Sequence, residues 1–258
     1  MRVRWLALGV GCLMPALASA QTGKRPVVVE LFTSQGCSSC PPADAIIAEL
    51  ARDRPDLLPL TFHVTYWNNL GWQDPFSFPG ATERQRGYVA RAVSPEIYTP
   101  AMVVDGKQDV VGSDRRAVEA ALAHAEAEAQ TAAPVDVVRA GNALAITVGA
   151  GAGHGSVLLL GYDRRHQTLV GRGENGGRAL LEANIVRSMA VAGTWTGQAL
   201  HLQTAIPAGE EAAIVVQADD GRVLGAARLN AWPRGGIAVN PRPDYGVLVP
   251  SSQENSVP

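Results

Sequence analysis

The sequence predicts a two-part chain: an α/β half built on a parallel strand–helix–strand unit, then a β-rich half of antiparallel strands forming a sandwich or open barrel. Three observations carry this. A β-branched run, "VVVELFT", is broken by Gly36 and followed by "CSSCPPADAIIAEL", an amphipathic helix with proline in its first turn. "YTPAMVVDGKQDVVGS" places two short apolar runs around Asp105-Gly106, a strong hairpin signal. Beyond Pro134 helical periodicity fades, and short apolar runs recur between glycine-rich turns.

In chain order, Val27 to Thr33 reads as a buried strand, since it is apolar almost throughout. Ala43, Ile46, Ile47 and Leu50 fall on one face of the following helix. "DLLPLTFHVTYW" gives the next strand, Leu57 to Tyr66, and the short return makes the pair parallel with a right-handed crossover. "NNLGWQDPFSFPG" is a loop and "ATERQRGYVARAV" a helix. Ser113 is placed to cap a last helix, Asp114 to Gln130. The expected organisation is an α/β domain over residues 26–131, a β-rich domain over 134–230 and a tail over 231–258 lacking its own core.

The chain has 258 residues, 47% apolar, and a net charge of −2 with both signs interspersed. That supports a core and offers no basic face for nucleic acid. Arg2 and Arg4, the apolar stretch Leu6 to Leu17 and Ala18-Ser19-Ala20 read as an export signal over residues 1–20. Cys12 lies early in that stretch, with Gly9 where a lipoprotein signal needs an aliphatic residue, so a lipid anchor is the lesser alternative. No segment approaches the ~20 apolar residues of a membrane span. The expected location is the periplasm or outside the cell.

Cleavage after Ala20 leaves Cys37 and Cys40. A disulfide closing so short a loop constrains the unfolded chain little, so a structural staple is a weak reading. A zinc site needs further Cys or His at workable spacing, and no second C-x-x-C exists. A redox dithiol fits best, because a helix N-terminus favours the thiolate. Cys37 is then the exposed nucleophile and Cys40 the covered resolving thiol. A copper site from Cys37, Cys40 and His63 remains an alternative. Glu30 interrupts the first strand and is read either as a buried acid taking the Cys40 proton or as an edge acid in water. Tyr66, Trp67 and Trp72 are delivered to the same sheet edge as the dithiol and are candidate substrate contacts, with Trp67 read first as a pin for its loop and Trp72 as the substrate contact. "GRGENGGR", Gly171 to Arg178, reads as an inter-strand turn, with a partner-binding loop exposing Arg172, Glu174 and Arg178 as the alternative.

The order of strand, helix with C-x-x-C, strand, Thr-Pro before a hairpin and a final helix resembles the thioredoxin fold. More narrowly, "VVELFTSQGCSSCPPAD", "FHVTYWNNLGWQDPF", "ERQRGYVARA", "YTPAMVVDG" and "GRGENGGR" resemble an uncharacterised family of exported bacterial proteins, the domain of unknown function numbered 1223. The resemblance runs from about Pro26 to Leu229. It implies a cis bond at Pro100, facing the dithiol and turning Thr99 outward for substrate pairing, and it places Glu30 where many such proteins keep a buried acid. Gly36 stands where thioredoxins often carry Trp, and Ser38-Ser39 between the cysteines leaves the direction of electron flow open. The function expected is an exported thiol–disulfide oxidoreductase without a cofactor, acting with a thiol or disulfide substrate and a redox partner protein. A non-catalytic binding module on the same scaffold is the rival.

Overall fold

The computed structural model describes residues 24–129 and 132–229. The expected export signal over 1–20, Cys12 and the tail over 231–258 lie outside the described residues. The first half runs β1 (Val27–Thr33), α1 (Pro41–Asp53), β2 (Leu57–His63), α2 (Pro79–Ala90), β3 (Ala101–Val104), β4 (Gln108–Val111) and α3 (Arg115–Glu128). The second runs β5 (Val135–Ala140), β6 (Ala143–Val148), β7 (Gly155–Leu169), β8 (Ala179–Trp195), β9 (Leu200–Ala205), β10 (Glu211–Gln217) and β11 (Val223–Arg228). It is a mixed α/β structure dominated by one large sheet. No helix among the described residues is long and apolar enough to cross a membrane.

β1 is parallel to β2 from Val27–Leu57 to Thr33–His63 and antiparallel to β3, so both its edges are paired. Both faces are covered too, which is why the strand is apolar without alternation. Val27, Val29 and Leu31 pack with Ile46, Ile47 and Leu50 of α1 and with Val118 and Leu122 of α3. Val28 and Phe32 face the other way, into a core holding Phe62, Tyr88 of α2, and Leu160 and Val215 of the second half. At the hairpin, Asp105 and Gly106 both take positive φ, 54° and 71°, as a tight turn between twisted strands requires. The cap of α3 is Asp114, whose carboxylate accepts from the Ala117 amide at 3.1 Å, and not Ser113.

The second half does not close on itself as a separate barrel. β7, β8, β10 and β11 continue the first half's sheet in the order β11-β10-β7-β8-β2-β1-β3-β4, joined where Thr61 meets Ile185. β5, β6 and β9 form a second, three-stranded sheet. It buries Val137, Leu144 and Ile146 against Val157, Leu159, Ile214 and Trp195, which gives this region a sandwich-like core. Two polar features strengthen the join. Arg25 grips Asp105 through two contacts of 2.7 and 2.5 Å and donates to the Val223 carbonyl. Gln217 donates to the Gly221 carbonyl and to the hydroxyl of Tyr88. Consequently β8 and the β7–β8 connection lie beside the carboxyl ends of β1 and β2.

Candidate functional site

β1 ends at Thr33, and the turn Ser34–Ser39 leads into α1. Pro41 and Pro42 occupy the first helical positions, where their missing N–H groups cost nothing. Cys40 is the N-cap, and its carbonyl accepts from the amides of Ala43 and Asp44. Cys37, in the turn before it, forms a disulfide with Cys40 at a Cα separation of 5.4 Å. The dithiol therefore sits at a helix N-terminus, as its position after the strand predicts.

Its exposure differs from expectation. Cys37 is not the accessible member of the pair: both cysteines have 0% exposure. The β7–β8 connection, 138 residues further along the chain, is fastened to the backbone of this turn. Asn175, itself fully buried, donates through Nδ2 to the carbonyls of Gln35 at 3.0 Å and Cys37 at 2.8 Å. The Glu174 carboxylate accepts from the Ser38 amide at 3.0 Å, and hydrogen bonding from the Ser38 hydroxyl, then from its amide, holds its pKa below the usual range. Gly171 and Gly173 lie against Trp72 so closely that a Cβ on either would meet that side chain at 3.1 to 3.2 Å. "GRGENGGR" is thus an inter-strand turn that also docks on the backbone of the turn carrying the dithiol. Arg172, Glu174 and Arg178 are exposed, while Asn175 carries the contact.

Glu30 is buried, 1% exposed, yet it does not lie under Cys40. Strand alternation points it with Val28 and Phe32, away from the face covered by α1. There it pairs with both Nε and Nη2 of Arg84 on α2 and accepts from the Tyr88 hydroxyl at 2.7 Å. A carboxylate held by a buried guanidinium is a structural ion pair, so its expected role as proton acceptor for Cys40 is corrected.

Other acids stand on the dithiol side. Asp44, on the first turn of α1, is buried and accepts from the Thr33 hydroxyl at 2.8 Å. His63, at the end of β2, is fully buried and bonded through Nδ1 to Asp74 at 2.7 Å. Its Nε2 lies 3.7 Å from Glu182 of β8. Gln35 connects these groups to the turn. Its amide donates to Asp74, its Nε2 donates to Glu182, and its Oε1 accepts from the Trp72 indole, each at 2.8 to 2.9 Å. Burial and the nearby Glu182 charge push Asp44 up to about 7, with His63 and Thr33 pulling the other way. Burial alone would depress His63, but Asp74, Glu182 and Asp44 outweigh it and raise the imidazole to about 9. Asp74 is held low, its burial outweighed by His63, whereas burial raises Glu182.

His63 binds protons more tightly in the fold than the 6.5 of a free imidazole, so its stabilising contribution is complete below pH 6.5 and lost as pH climbs to about 9. Unfolding stability is expected to fall by on the order of 3 kcal/mol across that window. Urea titrations at pH 6 and pH 9 measure this, and an equal or higher midpoint at pH 9 would contradict a charged His63.

The aromatic candidates are divided among neighbours. Trp67 donates from its indole to the Thr99 hydroxyl at 2.7 Å and lies against Gly36, so it pins the dithiol turn to the loop before β3. Tyr66 turns toward α2, its hydroxyl bonded to Gln85 at 3.2 Å. Trp72 supports the covering loop. The Thr99–Pro100 bond is cis. Pro100 is buried, and the β1–β3 register, extended one step past Phe32–Ala101, sets it beside Thr33. Thr99 is half-buried. His63 faces its acidic partners, and the described residues hold no group of three or more His, Cys, Asp or Glu side chains arranged for a metal ion.

Gln35, Asp44, Asp74, Asn175 and Glu182 were not among the residues marked by the sequence. Only Glu182, a lone charge in "ALLEANIV", resembles the kind of signal that marked Glu30.

Comparison with known proteins adds a family and a fold. No curated protein matches the chain. The model of the family described as "Protein of unknown function (DUF1223)" matches residues 28–217. The crystal structure of an Agrobacterium tumefaciens protein from a structural-genomics programme is 29% identical, with a TM-score of 0.71, covering 84% of this chain and 99% of that one. The structure of HBP35 of Porphyromonas gingivalis is 13% identical, with a TM-score of 0.58, over 85% of this chain and 81% of that one, a similarity of fold alone.

Proposed function

The chain belongs to the DUF1223 family, and we propose that it is an exported thiol–disulfide oxidoreductase whose redox centre is Cys37–Cys40. The reading treats residues 26–131 as a thioredoxin-like framework. One observation carries it: the disulfide ends at the N-cap of α1, with the buried carboxyl of Asp44 one turn further on, poised near neutrality.

In the oxidising direction a substrate thiolate attacks the Cys37 sulfur, the Cys37–Cys40 bond breaks, and Cys40 leaves with the electron pair. The helix N-terminus stabilises that thiolate, and protonated Asp44 supplies the proton that makes it a thiol. A second substrate thiolate attacks the substrate sulfur of the mixed disulfide. That step releases a substrate disulfide and the Cys37 thiolate, so two electrons end on the dithiol. Reduction of a substrate runs the same steps backward, with Asp44 accepting the proton. The partner's potential decides the direction.

The rival reading, a binding module with a quiet disulfide, draws on the burial of both sulfurs. The Cys37 thiol pKa separates the two. In a Cys40→Ser chain, alkylation rate against pH is expected to inflect about one unit or more below the ~8.5 of a free thiol. An inflection at or above that value would favour the quiet disulfide.

A further inference from the structure

We infer that the segment Gly171–Arg178 is a displaceable gate over the dithiol, and that what it gives way to is an extended peptide carrying a cysteine. The inference rests on the oxidoreductase reading and names the substrate class of that same site.

The segment is built to stay folded while it moves. Its base is pinched by the Val170 amide on the Arg178 carbonyl at 2.9 Å and the Gly177 amide on the Val170 carbonyl at 2.7 Å, and the β7–β8 ladder reaches Leu169–Ala179 directly below. Gly173 and Gly177 take φ of 80° and 79°, conformations that cost glycine nothing. Of the eight residues, only Asn175 is buried. Arg178 donates to its Oδ1 at 2.8 Å, which aims Nδ2 at the two turn carbonyls. The hold on the turn therefore reduces to the hydrogen bonds of Asn175 and Glu174 and the packing of Gly171 and Gly173 on Trp72 and Gly71. Each such bond contributes little net stability, because water replaces it when the gate lifts.

The gate's partners indicate what replaces it. The turn offers one backbone donor, the Ser38 N–H, and two backbone acceptors, the carbonyls of Gln35 and Cys37. The gate answers them with a carboxylate acceptor and a carboxamide donor. An extended peptide presents the same chemistry through its own carbonyls and N–H groups. Such a peptide satisfies the groups that lifting the gate would expose, and it brings its thiol to Cys37. A small thiol gains access only during spontaneous opening and replaces none of these bonds.

The test uses the full oxidised chain and two reductants, dithiothreitol and an unstructured cysteine-containing peptide. Reduction of the Cys37–Cys40 bond is followed by acid quench and mass spectrometry. Asn175→Ala is expected to raise the rate by roughly ten- to a hundredfold, and Glu174→Gln by roughly threefold, in line with the bonds removed. In the parent chain the peptide is expected to outpace dithiothreitol at equal thiolate concentration, and the variants to narrow that lead as opening becomes easy for both. Unchanged rates in both variants overturn the gate. A peptide no faster than dithiothreitol in the parent overturns the substrate class. Glu174 is exposed, so Glu174→Gln decides the gate if Asn175→Ala lowers the melting temperature. The Cys37 pKa is read in Cys40→Ser with and without Glu174→Gln: a value at or above ~8.5 in both overturns the redox reading, whereas unchanged reduction rates overturn the gate alone, so the two failures are told apart.

Discussion

Glu30→Gln is expected to destabilise the protein by about 3–5 kcal/mol, the range for breaking a buried ion pair by removing one partner. The cause is Arg84. Its guanidinium is buried against Glu30, and the remaining neighbours, the Tyr88 hydroxyl at 3.1 Å and Gln217 Oε1 at 3.3 Å, carry no compensating charge at neutral pH. Glutamine keeps the shape and leaves the cation unpaired in a low-dielectric core. Replacing both partners, Glu30→Gln with Arg84→Met, is expected to recover most of the loss, because no charge remains to be desolvated. Urea unfolding at pH 7 reads both values. A single variant as stable as the parent would mean that the pair contributes nothing. Dithiol reactivity in the folded single variant should be unaltered, since the pair lies on the face of β1 away from α1.

Asp44→Asn is expected to slow exchange at Cys37–Cys40 by roughly a hundredfold near pH 7, within the range for loss of a general acid or base. It should also remove a rate inflection near pH 7. Stability should move the opposite way. Asp44 is raised from 3.8 to about 7 in the fold. The native state therefore holds the proton more tightly than the unfolded chain, and its advantage is present below pH 4 and lost as pH rises to about 7. Above that, a buried carboxylate is carried at a cost. Asparagine removes the cost, so the variant should gain on the order of 2 kcal/mol at pH 8. Slower exchange with a gain in stability separates a proton-transfer role from a packing role, in which both would fall. An unchanged exchange rate across pH 6 to 8 would remove Asp44 from the mechanism.

Much of the first half was legible because its signals are local. The uninterrupted apolar run of β1, the prolines opening α1 and Asp105-Gly106 each report the conformation of their own few residues. The dithiol at a helix start followed from the same neighbours. Side and depth were less legible. Glu30 stood out as a buried acid, but alternation says only that it shares a face with Val28 and Phe32. Which of the two faces α1 covers is settled by packing. Asp44 carried no signal of its own, because Glu182 and His63, whose charges act on its carboxyl, come from other strands.

By itself the sequence determined the β1–α1–β2 unit, the hairpin at Asp105-Gly106, the position of Cys37 and Cys40, and the β character of the chain beyond Pro134. Only the tertiary structure decided that β7, β8, β10 and β11 extend the first half's sheet and do not close into a barrel of their own. That one pairing carries Glu182 to His63, and Asn175 to the carbonyls of Gln35 and Cys37. Strand propensity and turn chemistry act over a handful of residues. Which edges pair, and what they bring together from 138 residues away, depends on burial across the whole core.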